Sequence, residues 1–105
     1  MKGNQLTFFT QQDRRHDGQP IGEWLLQLAK SLGLRGATML PASEGFGASR
    51  RIHSARFFEL TDQPIEVVLV ATEEETARLF DALRAAAVDM FYVRTPVEFG
   101  HIAGN

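Results

Sequence analysis

The chain has 105 residues, 44% of them hydrophobic and 23% charged, the balance of one ordinary globular domain spanning residues 1–105 and not of a disordered or fibrous chain. The absence of cysteine excludes disulfides, thiolate metal sites and cysteine nucleophiles. A formal net charge of −2 argues against a phosphate-backbone binder, so nucleic acid is not an expected partner.

The first nine residues carry one lysine and a short apolar run, too little for a signal peptide or a membrane span. A cytoplasmic protein without direct membrane insertion is expected. Gln5–Thr10, with Leu6 and Phe8 on one side and Phe9 on the other, predicts the first strand. Gln11–Gln19 is polar or Gly throughout and predicts an exposed connection. Pro20 suits a first helical position, and Ile21, Trp24, Leu25, Leu28 and Leu32 recur at the spacing of one buried helix face. Trp24 on that face is expected to be core. Gly33 can take the left-handed conformation that ends a helix, and Lys30 favours the negative end of its dipole.

Gly36–Leu40 predicts a short second strand, with Pro41 marking an edge or an end because it lacks an amide hydrogen. Residues 42–49 carry Gly45 and Gly47 without apolar periodicity, as expected of a loop or a hairpin tip. Ile65–Val70 is β-branched on both faces except at Glu66 and predicts a central strand. Thr72 followed by Glu75 is a capping box, and a helix over Glu73–Ala87 would turn Phe80, Leu83 and Ala87 inward. Met90–Arg94 predicts the last strand, and residues 95–105 a C-terminal extension with no assigned structure.

That order predicts an α+β ferredoxin-like βαββαβ sandwich, with two helices on one face of an antiparallel sheet and a long loop after the second strand. Because strand residues on both sides are apolar, the face without helices must also be covered. Self-association is the simplest cover.

Gly36, Ala37, Thr38 and Met39, then Glu44, Gly45, Phe46 and Gly47, then Arg51, Ile52, His53, Ser54 and Ala55 resemble the PII-like proteins, closest to an uncharacterised domain-of-unknown-function branch. The resemblance extends over residues 4–93. It implies a homotrimer that binds adenine nucleotides or other small anions between subunits. It also implies that a loop at residues 41–54 regulates a partner protein, with a membrane transporter or channel suggested by resemblance alone. Gly36, Ala37 and Thr38 match the segment lining the base pocket, and Gly45, Phe46 and Gly47 match the entry to the signalling loop. Glycine suits both places, since a backbone without Cβ can approach a ligand and present amides to an anion. The nitrogen-regulatory PII proteins grip phosphates with a basic glycine-rich loop where this chain has Ala85, Ala86, Ala87, Val88 and Asp89. The expected effector is therefore a small anion, an adenine nucleotide or another, with no obligatory cofactor.

Arg50, Arg51, His53 and Arg56 fall within seven residues with no acid among them. They could hold phosphate or carboxylate through guanidinium forks, or form a solvated loop face. Phe46 could stack on a ligand, pack on a neighbouring subunit or project towards a partner. The three histidines, His16, His53 and His101, are too irregularly spaced for a local metal motif. A divalent-metal-binding or metal-tolerance protein of the same fold is the alternative reading. No motif places a base beside Ser43, Ser49 or Ser54, so catalytic residues are not expected and the chain is read as a non-enzyme.

Overall fold

The computed structural model describes residues 1–42, 44–45, 53–54 and 63–104. In chain order the elements are β1 (Lys2–Gln11), β2 (Arg15–His16), β3 (Gln19–Pro20), α1 (Ile21–Ser31), β4 (Ala37–Pro41), β5 (Glu44–Gly45), β6 (His53–Ser54), β7 (Pro64–Thr72), α2 (Glu73–Ala85) and β8 (Phe91–Glu98). The four long strands form one antiparallel sheet in the order β4-β7-β1-β8. This is the expected ferredoxin-like α+β arrangement, with β7 central as its β-branched run requires.

Alternation decides which face each side chain takes, because successive Cβ atoms leave a strand on opposite sides. Asn4, Leu6, Phe8 and Thr10 of β1 and Ile65, Val67, Leu69 and Ala71 of β7 are buried on one face, with Leu25 and Ala29 of α1 and Leu79 and Leu83 of α2. Each large apolar side chain so buried contributes about 1.5–3 kcal/mol. On the opposite face the register aligns Thr38, Val68, Thr7 and Val93 in one row across the sheet, with Phe9 beside Phe91 in a parallel row. Leu40 is 45%, Phe91 70% and Val93 43% exposed there, so the face without helices carries uncovered apolar side chains, as its composition predicts.

The helices depart from expectation in detail. Pro20 is the cap of α1 and not its first residue: with ψ at 135° it stays extended and pairs with Arg15 across the β2–β3 ladder. The connection after β1 is therefore a small hairpin, whose Asp17–Gly18 turn has φ of 50° at Asp17. Its His16 ring lies against Trp24 at 4.1 Å between centroids, tilted by 52°, and Trp24 is half-buried and packs against the core as expected.

Helix α2 stops at Ala85, and Ala87 adopts φ of 55°, so Ala87 is exposed beyond the helix end. The inner face is Thr76, Leu79 and Leu83, with Phe80 half-buried. A threonine is tolerated there because its hydroxyl donates to Thr72 O at 2.8 Å and accepts from Asn4 Nδ2 at 3.2 Å. The Thr72–Glu75 capping box forms as expected, and Gly33 ends α1 with φ of 75°.

Beyond Arg94 the chain continues in β8 to Glu98. The Phe99 amide donates to Met1 O at 2.8 Å, and the Met1 ammonium donates to Phe99 O at 2.7 Å. This exchange fixes the ladder's parity, because bonded and non-bonded pairs alternate in an antiparallel ladder. Residues 91, 93, 95 and 97 face β1, whereas the backbone groups of Tyr92, Arg94, Pro96 and Glu98 point to the free edge. The Ala42 amide donating to Pro64 O sets β4 likewise, leaving Ala37, Met39 and Pro41 pointing outward. Both edge prolines thus sit where a missing N–H costs no bond within the sheet.

Glycine at position 3 is required by close approach, since a Cβ there would lie 2.1 Å from the Ala71 carbonyl oxygen. Gly3→Ala should forfeit at least about 2 kcal/mol of stability, read as a lower midpoint in chemical denaturation with unchanged slope.

Candidate functional site

The connection from α1 to β4 is short, and it leaves a recess between the last turns of the helix and the sheet edge. This cavity of about 360 Å³ is lined by Ala29 and Lys30 of α1, by Leu34 and Arg35, and by Gly36 and Ala37. Two of the residues singled out in the sequence, Gly36 and Ala37, therefore lie against a cavity with an apolar wall. Thr38, the third, is exposed on the helix-free face opposite Val68.

Two basic side chains border the recess, and sequence reasoning passed over both as site residues. Lys30 had a sufficient role at the helix end, and Arg35 stood alone in a turn with no local pattern to mark it. The structure shows what holds Arg35. Its Nε lies 3.4 Å from Glu75 Oε1, and its guanidinium stacks 5.4 Å above the Phe99 ring. The α1–β4 connection is thereby tied to the start of α2 and to the C-terminal segment. A second tie runs from Arg78 to the Leu32 carbonyl at 3.0 Å.

Glu75 is the hub of these contacts. Its carboxylate accepts the Thr72 amide at 2.8 Å, and this hydrogen bond, with Arg35 and Arg78 nearby, outweighs burial and holds its pKa below the ordinary value of 4.5.

Gly45 and His53 are directly paired in the β5–β6 ladder, with Glu44 opposite Ser54, so two candidate positions meet at the level of the backbone. Phe46, Gly47, Arg50 and Arg51, together with Arg56, lie outside the described residues. Where a phosphate-gripping loop would stand, the Ala87 amide donates to Arg84 O and the Val88 amide to Leu83 O. Those amides close the end of α2 and are not presented to a ligand. The Asp89 carbonyl accepts from Arg14 at 2.6 Å, which joins that turn to the segment before α1.

A larger recess of about 480 Å³ opens at the start of β1 and the end of β8, beside Lys2, Glu73 and Glu98. Both Glu73 oxygens are already engaged there, by Asn4 Nδ2 at 3.0 Å and by Arg94 at 2.7 Å. Among the described residues no three His, Asp or Glu side chains converge as a metal site would need.

A family model described as Uncharacterized ACR (DUF190) matches residues 3–99. A UPF0166 protein from Aquifex aeolicus (strain VF5) is 32% identical over 85 residues, covering 80% of this chain and 81% of that protein. Among solved structures, CPII, a nitrogen regulatory PII-like protein from Thiomonas intermedia K12 bound to ADP, AMP and bicarbonate, superposes with a TM-score of 0.71 at 15% identity. The match covers 96% of this chain and 91% of CPII. A putative PII-like signaling protein from Thermus thermophilus gives a TM-score of 0.69 at 19% identity, over 92% and 88% of the two chains. The fold is therefore that of the PII-like proteins.

Because the Glu75 pKa is depressed in the folded state, its contribution to stability is complete above its ordinary value of 4.5 and is lost as pH falls through the lower folded value. Glu75→Gln should lower the melting temperature at neutral pH. It should also flatten the fall in melting temperature between about pH 5 and about pH 3, measured by calorimetry across that range.

Proposed function

The chain belongs to the DUF190 family, and on that premise we propose that it is a PII-like signalling protein. In this reading it is a homotrimeric, non-enzymatic sensor that takes a small anionic effector in clefts between subunits. The effector is an adenine nucleotide or a compact anion such as bicarbonate, and residues 41–54 carry the response to a partner protein.

The observation that carries this reading is the 360 Å³ recess at Gly36 and Ala37, with aliphatic side chains on its wall and Lys30 and Arg35 beside it. That volume lies within the roughly 300–1,000 Å³ of small-molecule sites. An apolar wall with cations at its rim suits a flat heterocycle carrying a negative group. The adenine nucleotides and bicarbonate held by CPII, which shares the fold, support the same ligand class. Phosphate contacts would come from Lys30, Arg35 and the Arg50, Arg51 and His53 cluster, since the Ala87 and Val88 amides of the turn after α2 are engaged within the chain.

Signalling by such a module is a population shift, in which the effector binds one arrangement of the loop better than another. The exposed Leu40, Phe91 and Val93 on the helix-free face support the homotrimer, because a soluble chain covers such a face by association. Among the described residues no helix is long and apolar enough to cross a membrane, and a transporter or channel would be met as a separate partner.

A thermal-shift comparison of AMP, ADP, ATP, bicarbonate and divalent metal salts tests the reading. A ligand at about one hundred times its Kd should add about 2.7 kcal/mol to stability. For a domain of this size that is a rise of roughly 10 °C or more. Arg35→Ala should reduce the rise produced by the active anion while the unliganded protein stays folded. Stabilisation by a metal salt alone, with none from any nucleotide or bicarbonate, would overturn the proposal.

A further inference from the structure

We propose that β8 of one copy pairs antiparallel with β4 of a second copy in a single register, Tyr92 opposite Met39 and Arg94 opposite Ala37. Among the described residues the two strands are the two edges of the sheet. This rests on the reading of the chain as a self-associating sensor and specifies how the copies join.

Direction comes first. Three successive antiparallel steps separate β4 from β8, so the two edges run opposite ways within one copy. When copies are related by rotation about an axis along the strands, the β8 edge of one meets the β4 edge of the next antiparallel. A head-to-tail contact of this kind closes into a ring.

The prolines then select the register. The outward-pointing positions are Ala37, Met39 and Pro41 on one edge and Tyr92, Arg94, Pro96 and Glu98 on the other. Pairing Met39 with Tyr92 and Ala37 with Arg94 lets both pairs exchange two N–H···O bonds. It also leaves Pro41 opposite Met90, before β8 begins, and Pro96 opposite Arg35, before β4 begins. A slip of two residues one way puts Pro96 against Ala37 and Pro41 against Tyr92, removing a donor at each. A slip of two the other way leaves only Ala37 with a partner inside β8. One register alone yields two complete pairs.

The side chains agree with the backbone. On the helix-free face Thr38, Val68, Thr7 and Val93 form an unbroken row of β-branched residues across the four strands. In this register Val93 of one copy lies beside Thr38 of the next, so the row continues around the ring and the apolar faces turn inward. On the helix face Arg94 comes opposite Ala37, which lines the 360 Å³ recess, and that recess is then bounded by two copies of the chain.

The test uses the absence of native cysteine. Thr38 and Val93 would form a non-hydrogen-bonded pair, the closer of the two pair types, with Cα atoms about 4.5 Å apart. Within one copy they are three strands apart, about 14 Å, too far for an internal bridge. The full-length Thr38→Cys/Val93→Cys protein, oxidised with copper phenanthroline, should run as covalent multimers on a non-reducing gel. Each single variant should remain a single chain, and so should the slipped pair Thr38→Cys/Phe91→Cys. Light scattering on the unmodified protein is measured alongside. An oligomer whose double variant does not cross-link, or in which the slipped pair cross-links equally, overturns the register and leaves self-association standing. A monomer overturns both.

Discussion

Burial of one sheet face beneath two helices sets the remaining geometry of this molecule. Leu6 and Phe8 on β1, and Val67, Leu69 and Ala71 on β7, can reach α1 and α2 only if both strands keep an uninterrupted two-residue period. A slip of one residue in either strand would expose the whole set. Once that period is fixed, the opposite face is also fixed, and its apolar residues Leu40, Phe91 and Val93 stay exposed among the described residues. The same parity decides which backbone groups of β4 and β8 point outward, and so where proline can stand.

The recess at the start of β4 follows from this frame. Helix α1 crosses the sheet and ends at Ser31, and a few residues bring the chain back to Ala37 at the edge. Arg35 in that return is held by Glu75, whose carboxylate also caps α2. A ligand that engaged Arg35 would therefore act on the start of α2 and, through Phe99, on the C-terminal segment. The helix cap and the chain end share one guanidinium, through which an anion bound at Arg35 would reach distant elements.

Much of the architecture was legible before the structure. The helix over residues 21–31, the central strand at 65–70 and the Thr72–Glu75 cap were readable because periodicity and capping are local properties of consecutive residues. Reading failed where a tertiary partner overrode the local pattern. Thr76 enters the core because Asn4, seventy-two residues away in sequence, accommodates its hydroxyl. Residues 95–98 carry no strand signal of their own and pair only because β1 extends alongside them. Of the candidate site, Gly36 and Ala37 were found through the order of residues around them, whereas Lys30 and Arg35 were not, because no spacing links them to a cavity that exists only after α1 packs.

The amino-acid sequence by itself determined the class of fold, the two helices and the surplus of apolar residues on strands, since these depend on composition and period. It also implied that some face would need cover. Only the tertiary structure decided which strands became edges and which way Pro41 and Pro96 point, because ladder parity is a relation between strands and is absent from any one of them. The same holds for the recess: Gly36 and Ala37 acquire a neighbouring wall and two cations through packing of elements that the sequence orders but does not place.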